Sequence, residues 1–132
     1  MESRNAELED STTISGAGFL LKVGSTSNHL DLGTAGAVCL GVSVDESSKD
    51  AEGVYETASA TISFTPLGGV IMCQATDGQS LVRGAQIYAG ANGLATTSNA
   101  NSAKKLGLYV GDGMTAASGD MIPVNTMGAE QA

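Results

Sequence analysis

The sequence predicts an all-β protein, a small antiparallel barrel or sandwich assembled from two related half-units. Three observations carry this. Short apolar runs alternate with period two and are closed by turn residues. No window longer than about two turns has helical periodicity. Gly18, Gly24, Gly41 and Gly53 recur 66 positions later as Gly84, Gly90, Gly107 and Gly119, a shift of half the 132-residue chain. Leu40, Val44 and Ala51 are matched in the same way by Leu106, Val110 and Ala117.

Taken in order, residues 1–13 hold five charges and few apolar anchors, and read as an N-terminal arm disordered in the free protein. An arm of this length either adds a strand to a partner's sheet edge or is a loose terminus without a role. Phe19–Val23 is a short strand closed by Gly24, and Ala37–Val44 a longer one holding Cys39. Residues 45–53 (DESSKDAEG) form a loop. The clearest strand pattern spans 54–65: Val54, Ala58, Ala60, Ile62 and Phe64 alternate with Tyr55, Thr57, Ser59, Thr61, Ser63 and Thr65. Pro66 ends it. Gly69–Ala75 is apolar on both faces and reads as a central strand. Strands at Ala85–Ala89, Leu94–Thr97, Lys105–Val110 and Asp120–Val124 follow, with Pro123 placing the last near an edge. The folded domain is therefore 14–126, with 127–132 a C-terminal tail.

Composition limits what such a chain can do. With no Trp, three Tyr and two Phe it lacks the aromatic area that fills most cores, and is expected to gain buried surface from a partner. The net charge of −8 argues against direct nucleic-acid contact, which needs clustered cations; Lys104 and Lys105 are the only basic pair. The polar N-terminus is not a signal peptide, and no stretch is long and apolar enough for a membrane.

No constellation for catalysis stands out. His29, the sole histidine, reads as a surface-loop residue, because Ser25, His29 and Asp31 share one segment whereas triad members converge from separate elements. Asp45, Glu46, Asp50 and Glu52 lack the spacing of a calcium loop. Gly111-Asp112-Gly113 is a turn, since no GK[ST] and no helix follow it. Cys39 and Cys73 sit in apolar surroundings and read as buried thiols, their pairing left open. No cofactor or metal is expected. The hydroxyl row Tyr55, Thr57, Ser59, Thr61 and Ser63 reads as an exposed strand face or one packed on a symmetry mate.

Residues 84–124 (GAQIYAGANGLATTSNANSAKKLGLYVGDGMTAASGDMIPV) resemble the β-rich decoration proteins of tailed viruses. The likeness rests on Gly84, Ile87 and Tyr88; Gly93, Leu94, Thr96 and Thr97; Gly107, Leu108 and Val110; and Gly119, Asp120, Ile122 and Val124. In the first half, residues 40–47 (LGVSVDES) resemble the same strand-and-turn element. The resemblance implies a β-tulip-like domain, a homotrimer at threefold positions outside the capsid lattice, and the major capsid protein as partner. Such a protein is a non-enzymatic cement located on the virion surface. An arm that pairs with capsid strands would use Leu8, Thr12, Thr13, Ile14 and Ser15, and the hydroxyl row would supply trimer contacts. The alternative is a receptor- or glycan-binding domain of a virion fibre or turret.

Overall fold

The computed structural model describes residues 4–99 and 105–128. Twelve strands follow in order: β1 Arg4–Leu8, β2 Leu20–Val23, β3 His29–Leu32, β4 Cys39–Ser43, β5 Thr61–Pro66, β6 Val70–Gln74, β7 Ser80–Leu81, β8 Gln86–Ala89, β9 Ala95–Thr96, β10 Lys105–Tyr109, β11 Met114–Thr115 and β12 Met121–Asn125. A single 3-10 turn at Ala91–Gly93 is the only helical segment among the described residues. The fold is all-β, as the alternation predicts.

The first five strands close into a barrel in the order β1-β3-β2-β4-β5. The second half makes a five-stranded sheet, β6-β12-β10-β8-β9, with β7 and β11 as a separate ribbon. A parallel bridge between Ala75 and Ala95 joins the two edges of that sheet. It takes the place of the parallel β1–β3 ladder, Glu7 with His29 and Leu8 with Leu30, that closes the first barrel.

The two halves are one topology used twice. β2, β3 and β4 fall on β8, β9 and β10 at the 66-residue displacement read from the glycines. The registers agree as well. Leu20 pairs with Val42 and Leu21 with Gly41, and after an irregularity Lys22 pairs with Cys39. In the second half Gln86 pairs with Leu108 and Ile87 with Gly107, and after an irregularity Tyr88 pairs with Lys105. Connecting hydrogen bonds repeat too: Gly18 N–H donates to the Ser43 carbonyl at 2.8 Å, and Gly84 N–H to that of Tyr109 at 2.8 Å. A register kink conserved between halves is a specific structural device, and its recurrence is strong evidence of duplication.

One glycine pair is a coincidence. β5 and β12 correspond at a displacement of 60, since Val44 N–H donates to the Ser63 carbonyl as Val110 N–H does to that of Pro123. Gly119 (φ 86°) therefore matches Ser59 (φ 55°), not Gly53. The loop ahead of β5 is six residues longer than its counterpart, which a fixed offset hides.

Several expected elements are placed differently. The arm is extended, but from Arg4 onward it is β1, paired with β3 and β5 inside the barrel. Leu8 is fully buried. An unpaired strand would leave that leucine and its backbone groups in water, and closing the barrel satisfies both. The long strand expected over 54–65 is strand only from Thr61, because the left-handed backbone at Ser59 breaks the pleat. β6 is not central: it lies at the edge of its sheet, burying Ile71 and Cys73 while Val70 and Met72 stand exposed. β12 in turn runs between β6 and β10 despite Pro123. The β10–β12 ladder ends at Tyr109 with Val124, so the missing N–H of Pro123 falls just beyond it.

Two cores result. Leu8, Ile14, Leu21, Leu30, Ala60 and Ile62 fill the first barrel. A larger cluster fills the second unit and includes three residues of the first, Leu20, Cys39 and Val42. Alternation on β2 explains this: Leu21 points into its own barrel while Leu20 points out and is buried on the neighbour.

Candidate interaction surfaces

The residues expected to meet a capsid are only partly available. Leu8 and Ile14 belong to the first core and are at most 1% exposed. Ile14 is also pinned by Ser47, whose Oγ accepts from the Ile14 N–H at 3.0 Å. Thr12 donates its hydroxyl to Asp31 Oδ1 at 2.9 Å. Thr13 and Ser15 are exposed. Of the hydroxyl row, Tyr55, Thr57 and Ser59 lie in the loop before β5, and only Thr61 and Ser63 share a strand. Tyr55 donates to Glu46 Oε2 at 2.9 Å, and this bond raises the phenol above its ordinary pKa. Ser63 donates to Asn5 Oδ1 at 2.6 Å across β1 and β5. No continuous flat face joins the five residues.

His29 opens β3 rather than sitting in a loop. Its Nε2 lies 3.3 Å from Glu7 Oε2 and its Nδ1 3.7 Å from Glu9 Oε1. Ser25 donates instead to Glu9 Oε2 at 3.0 Å, so no serine–histidine couple forms. Hydrogen bonds from Thr26, by side chain and then backbone, hold Glu9 below the ordinary carboxylate value. Glu9, Ser25, Thr26 and His29 border an open polar cleft of about 470 Å³ with Asp10, Thr12 and Asp31. Among the described residues no cluster of three or more histidine, cysteine or acidic side chains could hold a metal.

The acidic loop is occupied by its own backbone. Asp50 Oδ1 accepts from the N–H groups of Glu52 and Val54, each at 3.0 Å, and Asp45 Oδ1 from that of Glu46 at 2.7 Å. Glu46 also pairs with Lys49 at 3.2 Å. Cys39 and Cys73 are both buried and free. Burial pushes the Cys39 thiol up to about 11 and that of Cys73 to about 12.

What the sequence pattern does not reveal is where apolar side chains reach the surface. At the junction of the two units a cleft of about 370 Å³ is lined by Val44, Val70, Met72 and Met121, with Ala17 and Val42 behind them. Val70 is 54% exposed and Met72 47%. The alternation of β6 and β12 contains these residues but does not say which face is covered. A second apolar opening, into the first barrel, passes between Val23 and Leu40.

No family profile matches this chain, and no curated protein does. Among solved structures it is similar to the crystal structure of the N base of the head fibre gp8.5 of bacteriophage phi29. The TM-score is 0.65 at 14% identity, over 99% of each chain. At that identity the likeness is one of fold, and it extends through both halves.

Proposed function

We propose that this chain is a structural protein of a tailed-virus head, seated on the outer surface of the capsid and bound to the major capsid protein. The observation that carries this reading is the fold shared, end to end, with the base of a phage head fibre. The acidic charge supports a place outside the shell, away from nucleic acid. The site chemistry supports a mechanical rather than an enzymatic role: the one histidine faces two carboxylates and no nucleophile.

In this reading the protein sits at threefold positions as a homotrimer and cements neighbouring capsid subunits. Three linked copies multiply weak individual contacts by roughly 10²–10⁴ in avidity. The self-association surface is the outer face of β6 and β12, where Val70, Met72 and Met121 stand uncovered on an acidic molecule. Exposed aliphatic side chains grouped in this way mark interaction sites. Thr13 and Ser15 remain the capsid-facing part of the first segment.

A second reading is that the chain forms the base of a receptor- or glycan-binding head fibre. The fibre base of phi29, matched over nearly its whole length, favours it. Copy number on purified particles separates the two: a cement follows the capsid subunits in stoichiometry, whereas a fibre occupies few sites. Light scattering of the isolated protein tests the trimer, and a monomer with no affinity for empty heads would refute the whole reading.

A further inference from the structure

Asn92-Gly93 is the one Asn-Gly pair in the sequence, and it forms the centre of the hairpin joining β8 to β9. Gly90 N–H donates to the Leu94 carbonyl at 2.7 Å, and Leu94 N–H to that of Ala91 at 3.2 Å. Asn92 (φ 58°, ψ 32°) and Gly93 (φ 71°) both have left-handed backbone. A tight hairpin turn demands this of its central pair, and Asn-Gly meets the demand at least cost. The same pair carries a chemistry that the turn does not use. Asparagine before glycine readily loses its side-chain amide, because no side chain hinders attack by the glycine nitrogen.

The fold withholds that reaction twice. At ψ 32° the Gly93 nitrogen lies on the far side of the Asn92 Cα–C bond from Cβ, so a five-membered ring cannot close until that bond turns. The nitrogen is also tied across the seam between the two units: Gly93 N–H donates to the Gly33 carbonyl at 2.7 Å. Gly36 N–H, donating to the Ala89 carbonyl at 3.0 Å, clamps the same stretch. Gly93 has no slack. A Cβ there would lie 2.6 Å from Leu32 Cδ1 and 3.0 Å from the Leu20 carbonyl oxygen. Asn92, by contrast, is exposed to water beside a cleft of about 330 Å³.

We propose that Asn92-Gly93 is a self-modification site gated by the seam, which makes separation of the two units a one-way event. When the seam opens, the Gly93 nitrogen gives up its proton and bonds to Asn92 Cγ. The Cγ–Nδ2 bond breaks, and the amide nitrogen leaves with that proton as ammonia. Water then opens the cyclic imide at either of its two carbonyls, giving an aspartyl or an isoaspartyl linkage. Water is the only co-reactant, and nothing is oxidised or reduced. The isoaspartyl product carries the main chain through Cβ and Cγ, one carbon longer than before. A hairpin packed this closely against Leu20 and Leu32 cannot take up the added length, so the Gly93–Gly33 bond does not re-form. Both products also add a negative charge to a molecule already at −8. The inference is independent of what the protein binds.

The test compares the reaction in folded and opened protein. Wild type, Leu20→Ala and Asn92→Gly are held in mildly alkaline buffer, without urea and at rising urea. Peptide mass mapping over residues 90–97 and enzymatic methylation of isoaspartate follow the product at this site. The expected rate is at least tenfold lower in folded than in unfolded wild type, and it climbs with urea below the midpoint as opening becomes more frequent. Leu20→Ala loosens the seam and should react faster than wild type; if it does not fold, the urea series on wild type carries the same test. Asn92→Gly keeps a residue that tolerates positive φ but has no amide to lose. It should refold in full after a long hold in urea, while wild type loses refoldable protein in step with the isoaspartate formed. Equal rates in folded and unfolded wild type, or a folded Leu20→Ala that reacts no faster than wild type, overturn the gate. Isoaspartyl protein that refolds to the wild-type melting temperature overturns the one-way step.

Discussion

The two halves of this protein share strand order, register and a register kink, yet they fill their interiors differently. The first barrel is closed by a parallel ladder of two residue pairs and packed by its own side chains. The second is joined edge to edge at a single bridge and takes Leu20, Cys39 and Val42 from its neighbour. A five-stranded unit of roughly 60 residues is a marginal folding unit, because too little of its surface is buried. Here one copy has a core made of its own residues, and the other completes its core with residues of the first. The burial at the seam is mutual, since Leu20, Cys39 and Val42 are themselves covered only by the second half.

The largest effect that would break this picture lies in β1. Removing residues 1–10 takes out the strand that closes the first barrel, together with Leu8. The first unit is then expected to open, and the second, deprived of its cover, to melt with it in one cooperative transition. Circular dichroism and hydrogen exchange on the truncated protein check this. Protection retained in β8, β10 and β12 after loss of β1 would show that the second unit stands alone. The milder Leu8→Ala should cost about 2–5 kcal/mol, the usual range for a leucine removed from a closed core.

The same position in the two repeats supplies the next comparison. Leu20→Ala removes a fully buried side chain at the seam, and about 2–5 kcal/mol is expected. Gln86→Ala, 66 residues on, removes an exposed side chain whose Oε1 accepts from the Tyr88 hydroxyl at 2.7 Å, and should cost only about 0.5–1.5 kcal/mol, the usual net worth of one hydrogen bond. Denaturant midpoints of the two variants give the difference directly. Similar costs at both sites would mean that the outer face of the second unit is also buried, as it would be in a tight oligomer.

How much of this was legible in the residues divides along the same line. The strands and the repeat were, because period-two alternation and a fixed glycine offset are local signals. Gly41 and Gly107 show why the offset survives: a Cβ at Gly41 would lie 2.5 Å from the Thr65 carbonyl oxygen, and one at Gly107 would collide with that of Asn125. The place of β1 was not legible, since its charges describe its outer face while the pairing that buries Leu8 depends on strands more than twenty residues away. Nor was the junction. Leu40 and Leu106 look identical in sequence, and only the arrangement of the two units decides which one is covered. The hydroxyl row misled for a related reason: alternation continues through Ser59, but the backbone turns there.

Gly41 and Gly107 give a third, smaller test. Alanine at either must push the neighbouring strand away, and overpacking of this kind costs about 1–3 kcal/mol. The two need not respond alike. β5 is held in a closed barrel between β1 and β4, whereas the sheet containing β12 closes only at Ala75 and Ala95. The more open sheet yields more easily, so Gly107→Ala should be the less costly of the two despite its closer initial contact. The opposite order, read from thermal midpoints, would mean that the seam with the first barrel stiffens the second unit.

The smallest effect concerns the seam where β1 meets β3. Glu9 is bonded by Thr26 and Ser25 and faces His29, and its carboxyl is held below the ordinary value of 4.5. A carboxylate with a depressed folded-state pKa contributes stability above its unfolded value, and that contribution is lost as pH falls through the folded one. Glu9→Gln should therefore lower Tm slightly at pH 7, and the gap from wild type should close as the pH drops below 4.5. The carboxylate is solvent-accessible, so the gap should also narrow in high salt. A gap that persisted at low pH would show that shape, not charge, is what Glu9 contributes to the seam between β1 and β3.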